Sequence, residues 1–180
     1  LMQKLMGDDL MILGTHFFCK YPVELTEHFV AWHQDVTYWG LTPPEAHTAW
    51  IAVDDSDLEN GCMRVIPGSH KRGLSSHSIS EKEGNLLSIN QEISQEQIKE
   101  TDALDLCLKP GQASVHEGYL IHSSLPNRSN RRRCGLTVRF VKPEVQQTGV
   151  NSQQSQWNPV LVRGQDSFKH FPEVNLPFPI

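Results

Sequence analysis

Residues 48–66, TAWIAVDDSDLENGCMRVI, decide the class of fold. The two ends of this stretch, 48–53 and 62–66, are rich in Trp, Ile and Val, which favour β-strands. Asp, Ser, Asn and Gly lie between them, and Asn60-Gly61 suits the positive φ of a tight turn. Pro67-Gly68 then ends the second run. The stretch therefore predicts two antiparallel strands joined as a hairpin.

Short apolar runs between turns recur along the rest of the chain. We predict further strands over 11–20, 104–108, 113–122 and 133–141. The last of these alternates cleanly, with Leu136, Val138 and Phe140 on one face and Arg133, Gly135, Thr137 and Arg139 on the other. Many short strands separated by Gly, Pro and Asn turns predict an all-β sandwich or jelly roll with a few peripheral helices.

The length of 180 residues favours a single domain over 1–180. Between residues 71 and 101 the composition shifts to Ser, Glu, Gln, Lys and Asn, with few large apolar residues. We expect an inserted polar segment over 71–101 that is partly helical and closes over a site like a lid. Gln, Asn, Ser and Pro dominate the end of the chain, so we expect an irregular C-terminal wrap over 143–180.

Composition and charge exclude several classes of protein. The formal net charge of −5 argues against a dedicated nucleic-acid binder, which usually carries a basic stripe, although arginines cluster at 128–133. No apolar run approaches the roughly 20 residues that span a bilayer, and no signal peptide is visible. The four cysteines have no paired spacing, so we expect a reduced cytoplasmic setting with free, mostly buried thiols.

Metal-binding side chains are concentrated in Trp32-His33-Gln34-Asp35. In extended backbone His33 and Asp35 leave the same face, because side chains alternate. An imidazole and a carboxylate with one distant His form the facial triad, which leaves the opposite positions of the metal open. His122 is the best third ligand because it ends a predicted strand, although His116 and His70 offer the same chemistry. An H-x-D pair also arises by chance, and these residues alone leave the metal open.

Arginine supplies a second signal. Arg133 lies on the polar face of its predicted strand, where its guanidinium could pair bidentately with a carboxylate. Arg139 shares that face, and a buried arginine needs an anionic partner. The alternative is that Arg133 belongs to a solvated basic run, as most surface arginines do.

At this point the chain resembles the phytanoyl-CoA dioxygenase family of Fe(II)- and 2-oxoglutarate-dependent oxygenases, from about Met11 to Val141. The resemblance is carried by ordered blocks: WHQD at 32–35 with Tyr38-Trp39, Thr48-Ala49-Trp50, NGCMRVIPGSH at 60–70, Pro110-Gly111-Gln112, His122-Ser123-Ser124 and the strand from Arg133. The fold that it implies is the double-stranded β-helix, a cupin-like jelly roll.

The resemblance also implies a role for each matching position. His33, Asp35 and His122 fall where the family binds Fe(II), and His70 falls in a structural turn. Arg133, eleven residues after His122, matches the arginine that holds the distal carboxylate of 2-oxoglutarate. Four further positions match the lining of the cosubstrate pocket, His16 more loosely than the others: Gln34, Trp50, Ser124 and His16.

The implied reaction is hydroxylation of an unactivated C–H bond by Fe(II), 2-oxoglutarate and O₂, with release of succinate and CO₂. Asp35 favours hydroxylation over halogenation, because related halogenases have a small residue there. Tyr38 and Trp39 either line the substrate pocket or belong to the core. Arg139 and the 71–101 segment suggest a small anionic or zwitterionic metabolite as substrate, with no nucleic-acid or membrane partner.

Two other classes of function use the same residues. A zinc-dependent hydrolase could employ the same three ligands, and a catalytically silent cupin-like binding domain could keep the fold without turnover. Metal analysis with an O₂-consumption assay separates the first from an oxygenase, and tolerance of His33→Ala would indicate the second. The residues do not predict the oligomeric state.

Overall fold

A computed structural model describes residues 1–22, 27–149 and 155–174. Its one α-helix within these ranges is Met2–Met6, and no helix there is long and apolar enough to cross a membrane. The strands are β1 Leu10–Lys20, β2 Val30–His33, β3 Leu41–Thr42, β4 His47–Ala52, β5 Met63–Val65, β6 His77–Ile79, β7 Gln91–Ile93, β8 Leu104–Leu106, β9 Ala113–Glu117, β10 His122–Ser124, β11 Arg133–Val141, β12 Gln146–Gln147 and β13 Val160–Arg163. The 3-10 helices are Asp35–Tyr38, Ser69–Arg72, Gln95–Gln97 and Glu100–Asp102.

Two antiparallel sheets form the body of the protein. The larger has the order β13-β1-β11-β4-β9 and the smaller the order β2-β10-β5-β8. β12 pairs with β3, and β6 with β7, as small two-stranded sheets. The mainly β jelly roll predicted from the sequence is confirmed.

The prediction that the two strands within 48–66 pair as a hairpin is wrong. β4 belongs to the five-stranded sheet and β5 to the four-stranded sheet, so the turn carries the chain from one sheet to the other. The buried Asn60 side chain holds this turn, because it accepts from the Asp57 amide and donates to the Asp55 carbonyl, both at 2.8 Å. Gly61 has φ +74°, and a Cβ there would lie 2.2 Å from the Leu125 carbonyl oxygen.

The strand predicted over 113–122 is also two strands. β9 ends at Glu117 in the larger sheet, and β10 begins at His122 in the smaller one. The chain crosses between the sheets at Gly118, where a Cβ would lie 2.3 Å from Val36 Cγ1. His122 therefore begins a strand instead of ending one, and it lies on the opposite sheet from His116.

The inserted segment 71–101 contains less helix than the sequence suggests. It holds the β6–β7 pair and two 3-10 helices. Asn85 fastens it to β2, because its side-chain oxygen accepts from the Ala31 amide at 3.2 Å, and the Leu86 amide donates to the Phe29 carbonyl at 2.9 Å.

The C-terminal segment adds to the larger sheet. In place of wholly irregular structure over 143–180, β12 and β13 form, and β13 pairs with β1 at the sheet edge. Residues 150–154 and 175–180 lie outside the described ranges. Trp157 packs against the core cluster that includes Met11, Val36 and Trp39.

The four cysteines are free thiols, and the fold brings together residues that are scattered in sequence. Cys62 and Cys134 are buried, whereas Cys107 is exposed. Cys19 lies directly opposite Cys134 in the β1–β11 ladder. The predicted free thiols are confirmed, but only two of the four are buried.

Candidate metal centre

A cavity of about 210 Å³ lies between the two sheets. All of the predicted site residues except Gln34 line it. These lining residues are His16, His33, Asp35, Tyr38, Trp39, Trp50, His122, Ser124, Arg133 and Arg139. The described fold thus brings ten residues from distant parts of the sequence to one space.

Three candidate metal ligands converge in this cavity. His33 ends β2, Gln34 is extended with φ −121° and ψ 128°, and Asp35 begins the next 3-10 helix, so the two side chains point the same way. His122 lies directly opposite His33 in the β2–β10 ladder. Asp35 Oδ1 is 3.6 Å from His33 Nε2 and 3.9 Å from His122 Nε2. One ligand atom from each residue lies within 4.8 Å of the others.

Hydrogen bonds fix which ring nitrogen each histidine offers. His33 Nδ1 is 2.9 Å from the Ala31 carbonyl, and His122 Nδ1 is 2.9 Å from the Leu120 carbonyl. A carbonyl oxygen can only accept, so both Nδ1 atoms carry the proton and both Nε2 lone pairs face Asp35. This is the orientation in which imidazoles bind a metal.

Burial and neighbouring side chains keep His122 and Asp35 in the protonation states that bind a metal. Burial, and then the neighbouring His33, lower the pKa of His122 well below 6.5, so its ring is neutral at pH 7. Burial raises the pKa of Asp35, but the neighbouring histidines, His116 and His33 foremost, outweigh that effect and hold the pKa well below 3.8. Neutral imidazole and ionised carboxylate are the forms that bind a divalent cation.

The donor set fits a first-row transition metal. Such ions lie about 2.0–2.2 Å from N and O ligands, so the two Asp35–histidine distances can be spanned by one ion. Two imidazoles and one carboxylate suit iron and its neighbours, whereas calcium and magnesium prefer all-oxygen sites. His70 lies away from this group, on the 3-10 helix Ser69–Arg72.

The other oxygen of Asp35 faces a fourth histidine. Thr48 Oγ1 donates to Asp35 Oδ2 at 3.0 Å, and His116 Nε2 lies 3.5 Å from the same oxygen. The sequence suggests His116 only as a rival ligand, and it suggests no role in the site for Thr48. Both residues come from the sheet that faces the histidine ligands.

Arg133 is a buried residue of the cavity wall. Its Nε and Nη2 donate to the Gly61 carbonyl at 3.0 and 2.6 Å, and its guanidinium lies 5.5 Å from the centre of the Trp50 ring. No carboxylate of the described residues pairs with it. Its neighbours Arg131 and Arg132, by contrast, are exposed and paired with acidic side chains. Arg133 therefore has a buried charge to offer to an anion.

Lys20 is a buried lysine that the sequence does not reveal. It lies directly opposite Arg133 in the β1–β11 ladder and is 1% exposed. Its Nζ donates to Ser124 Oγ at 2.6 Å and to the Leu125 carbonyl. Burial, and then the charge of Arg133, lower its pKa to about 6. An anion bound beside this pair would favour the protonated lysine.

Gln34 does not line the cavity, contrary to the pocket position predicted for it. With His33 and Asp35 facing inward, alternation turns Gln34 the other way. Its side chain is fully buried and donates to the Gly73 and Tyr119 carbonyls at 2.8 and 2.7 Å. The Ser75 amide donates to its Oε1 at 2.7 Å. Gln34 therefore fixes the surrounding chain.

The remaining wall of the cavity is aromatic and carries one cation. The Arg139 guanidinium lies 5.2 Å from the centre of the Trp39 ring, and its buried Nε has no hydrogen-bond partner among the described atoms. Trp157 Nε1 donates to the Trp39 carbonyl at 2.9 Å. Trp39 thus belongs to both the core and the cavity wall. His16, which is exposed, lies at the mouth.

Known proteins resemble this chain in sequence and in structure. The family model described as phytanoyl-CoA dioxygenase (PhyH) matches residues 1–135. The phytanoyl-CoA dioxygenase domain-containing protein 1 homolog of Dictyostelium discoideum is 32% identical over 126 residues, which cover 69% of this chain and 44% of that protein. The chain spans less than half the length of the curated relatives that it matches.

Two solved structures share the fold. The non-heme monooxygenase ThoJ, in its apo form, is 30% identical with a TM-score of 0.79, over 97% of this chain and 60% of that one. CytC3 with Fe(II) and alpha-ketoglutarate is 23% identical with a TM-score of 0.62, over 94% of this chain and 62% of that one. At 23% identity, the likeness to CytC3 shows the fold alone.

Proposed function

Because the chain belongs to the phytanoyl-CoA dioxygenase family, we propose that it is an Fe(II)- and 2-oxoglutarate-dependent dioxygenase. Its reaction is the hydroxylation of an unactivated C–H bond in a small anionic or zwitterionic metabolite. Succinate and CO₂ are the products formed from the cosubstrate.

One observation carries this proposal. A His33, Asp35 and His122 cluster and a buried Arg133 without a carboxylate partner line the same cavity. A metal site alone fits many reactions, and a buried arginine alone fits many anions. Together they suit a dicarboxylate that reaches from a metal to a guanidinium, which is the shape of 2-oxoglutarate.

Each of these side chains has a distinct task. His33, Asp35 and His122 would hold Fe(II), which with 2-oxoglutarate and O₂ supplies the oxidising chemistry. Arg133 binds the distal carboxylate, since three of its five N–H groups are free of the Gly61 carbonyl. Trp50 covers one face of the guanidinium and so excludes water from it. Ser124 is oriented by Lys20 at the same end of the cavity.

Asp35 bears on the outcome of the reaction. Its carboxylate fills the third protein position of the site, which related halogenases leave open for a halide. Its low pKa keeps it ionised and able to bind a metal at neutral pH. Hydroxylation is therefore the outcome that we propose.

The substrate is proposed to carry a negative charge near Arg139. The buried Nε of that residue has no partner among the described atoms, and Trp39 lies under the guanidinium. A carboxylate or phosphate of the substrate would supply the missing acceptor. Tyr38 lines the cavity nearby and would contact the rest of the molecule.

The 71–101 segment is proposed to act as a lid. Leu86, Leu87, Ser88 and Gln91 line the cavity from this segment. Its attachment to β2 through Asn85 places these residues beside the strand that carries His33. Closure over a bound substrate would exclude bulk water from the reaction.

The experiment that tests the function is a substrate screen. Protein loaded anaerobically with Fe(II) is mixed with 2-oxoglutarate, O₂ and panels of small carboxylates, phosphates and amino acids, and succinate is measured. We expect at least one compound to stimulate succinate release in the wild type and not in His33→Ala. No succinate, together with ester hydrolysis by the zinc-loaded protein, would indicate a hydrolase instead. No turnover of any kind, with ligand binding unchanged in His33→Ala, would indicate a silent binding domain.

A further inference from the structure

His116 is a buried histidine with no task in the proposed reaction. It lies in β9 and lines the cavity, and its side chain is 4% exposed. Neither ring nitrogen has a hydrogen-bond partner of ordinary geometry among the described atoms. A buried polar ring without a partner is unfavourable, so its position calls for an explanation.

The nearest acceptor to His116 is the outer oxygen of Asp35. His116 Nε2 is 3.5 Å from Oδ2, a distance longer than an ordinary N–H···O bond. Thr48 Oγ1 donates to the same Oδ2 at 3.0 Å. The inner oxygen Oδ1 instead faces Nε2 of His33 and of His122. The two oxygens of one carboxylate therefore have different surroundings.

The two residues at Oδ2 form a single structural unit. Thr48 and His116 lie directly opposite each other in the β4–β9 ladder, so both side chains leave the same face of the larger sheet. The histidine ligands come from the smaller sheet. Asp35 lies in the connection that follows β2. It is thus contacted by Thr48 and His116 from the larger sheet, which contributes no histidine ligand.

The proton of His116 can be placed by elimination. Asp35 is ionised and can only accept, and no other acceptor among the described residues bonds to the ring. Nε2 must then carry the proton that points at Oδ2. The His116 ring lies beside that of His122, with ring centres 4.6 Å apart and an interplanar angle of 53°.

We propose that His116 is a positioning residue for the metal ligand Asp35. It directs Nε2–H at Oδ2 and, with Thr48, limits rotation of the carboxylate so that Oδ1 is the oxygen presented to the metal. Residues that orient a ligand in this way typically change metal affinity by about 10- to 100-fold when removed. This inference rests on the proposed function only in requiring that the cavity bind a divalent metal.

The test is a metal titration with three variants. Mn(II) and Co(II) are titrated anaerobically into the wild type, His116→Phe, His116→Gln and His47→Phe, with chelator competition to define Kd. His47 neighbours Thr48 in β4, but alternation turns it to the other face of the sheet, so it serves as a matched control. Thermal unfolding of each protein without metal is measured in parallel.

We expect His116→Phe to weaken metal binding by about 10- to 100-fold. His116→Gln keeps an N–H donor at a similar position and should restore the affinity to within about threefold of the wild type. His47→Phe should bind as the wild type does. Without metal, His116→Phe should still unfold cooperatively, because the ring that it replaces makes only one long polar contact, at 3.5 Å.

Three results would overturn the inference. Equal metal affinity in the wild type and His116→Phe would show that the ring does not position Asp35. Equal losses in His116→Phe and His116→Gln would show that ring packing, and not the N–H donor, matters. If His116→Phe does not fold, Thr48→Val tests the other contact to Asp35 Oδ2. An unchanged metal affinity of Thr48→Val would then contradict the account. A wild type that binds no divalent metal would instead refute the proposed function itself.

Discussion

Replacement of Arg133 by Met should weaken 2-oxoglutarate binding and leave the metal site unchanged. Arg133 gives Nε and one N–H of Nη2 to the Gly61 carbonyl, which leaves three N–H groups for a ligand. These donors are held in place by that contact and by the Trp50 ring. The site is therefore formed before the ligand arrives.

The expected size of the effect follows from these contacts. Hydrogen bonds to charged groups contribute roughly 1.5–3 kcal/mol each, and a carboxylate on the free edge of Arg133 can accept two. Part of this energy is offset by desolvation of the buried guanidinium. We expect a net loss of about 2–3 kcal/mol in 2-oxoglutarate binding, which is roughly a 30- to 150-fold rise in Kd.

The assay is anaerobic calorimetry of 2-oxoglutarate binding to the Mn(II)-loaded protein. Arg132→Met is the matched control, because Arg132 is the adjacent residue but is exposed and paired with Asp54. It should bind the cosubstrate as the wild type does. Arg133→Lys keeps a cation and should fall between the wild type and Arg133→Met. An unchanged Kd in a folded Arg133→Met that still binds Mn(II) would refute the reasoning.

Three further perturbations separate structural from functional residues. Gln34→Ala removes three buried hydrogen bonds and should lower stability by about 2–4 kcal/mol while leaving the KM for 2-oxoglutarate unchanged; a large rise in that KM would restore the predicted pocket role. Arg139→Leu should raise the KM for the organic substrate at least about tenfold with little change in kcat, and an unchanged KM would remove the proposed anionic contact. The folded pKa of Lys20, about 6 against an ordinary 10.5, disfavours its charged form, so stability should rise with pH between these values. Lys20→Met should flatten that rise in a pH series of denaturant unfolding, and an identical slope would contradict the burial argument.

Strand positions could be predicted well, but the pairing of strands could not. Runs of Val, Ile and aromatic residues locate β1, β4 and β11, because these preferences are local. The turn at Asn60-Gly61 looks like a hairpin from its residues alone. It becomes a crossing between sheets through contact with the Leu125 carbonyl, which lies far away in sequence.

In the candidate site, too, local features could be predicted from the sequence and long-range contacts could not. The spacing of His33 and Asp35 puts both on one face. The end of a predicted strand favours His122 as the third ligand, but only resemblance to the family settles the choice between His122 and His116. Lys20 carries no local signal of burial, although alternation with His16 and Phe18 places it on a shared face of β1. Gln34 could have been excluded from the cavity by that same alternation.

The division of 113–122 into two strands explains why the sequence suggests His116 only as a rival ligand to His122. A continuous run puts His116 and His122 on one strand, six residues apart and on the same face. The break at Gly118 instead places them on facing sheets with Asp35 between them. This arrangement depends on Val36, which packs where a side chain at Gly118 would lie.

The most direct test of the central claim is the fate of ¹⁸O₂. Fe(II)-loaded protein is supplied under ¹⁸O₂ with 2-oxoglutarate and the compound that stimulates succinate release, and the succinate formed is analysed by mass spectrometry. The account predicts succinate with one labelled oxygen atom, formed only with Fe(II) and lost in His33→Ala. Succinate without label, or no succinate from protein that binds both Fe(II) and 2-oxoglutarate, would contradict it.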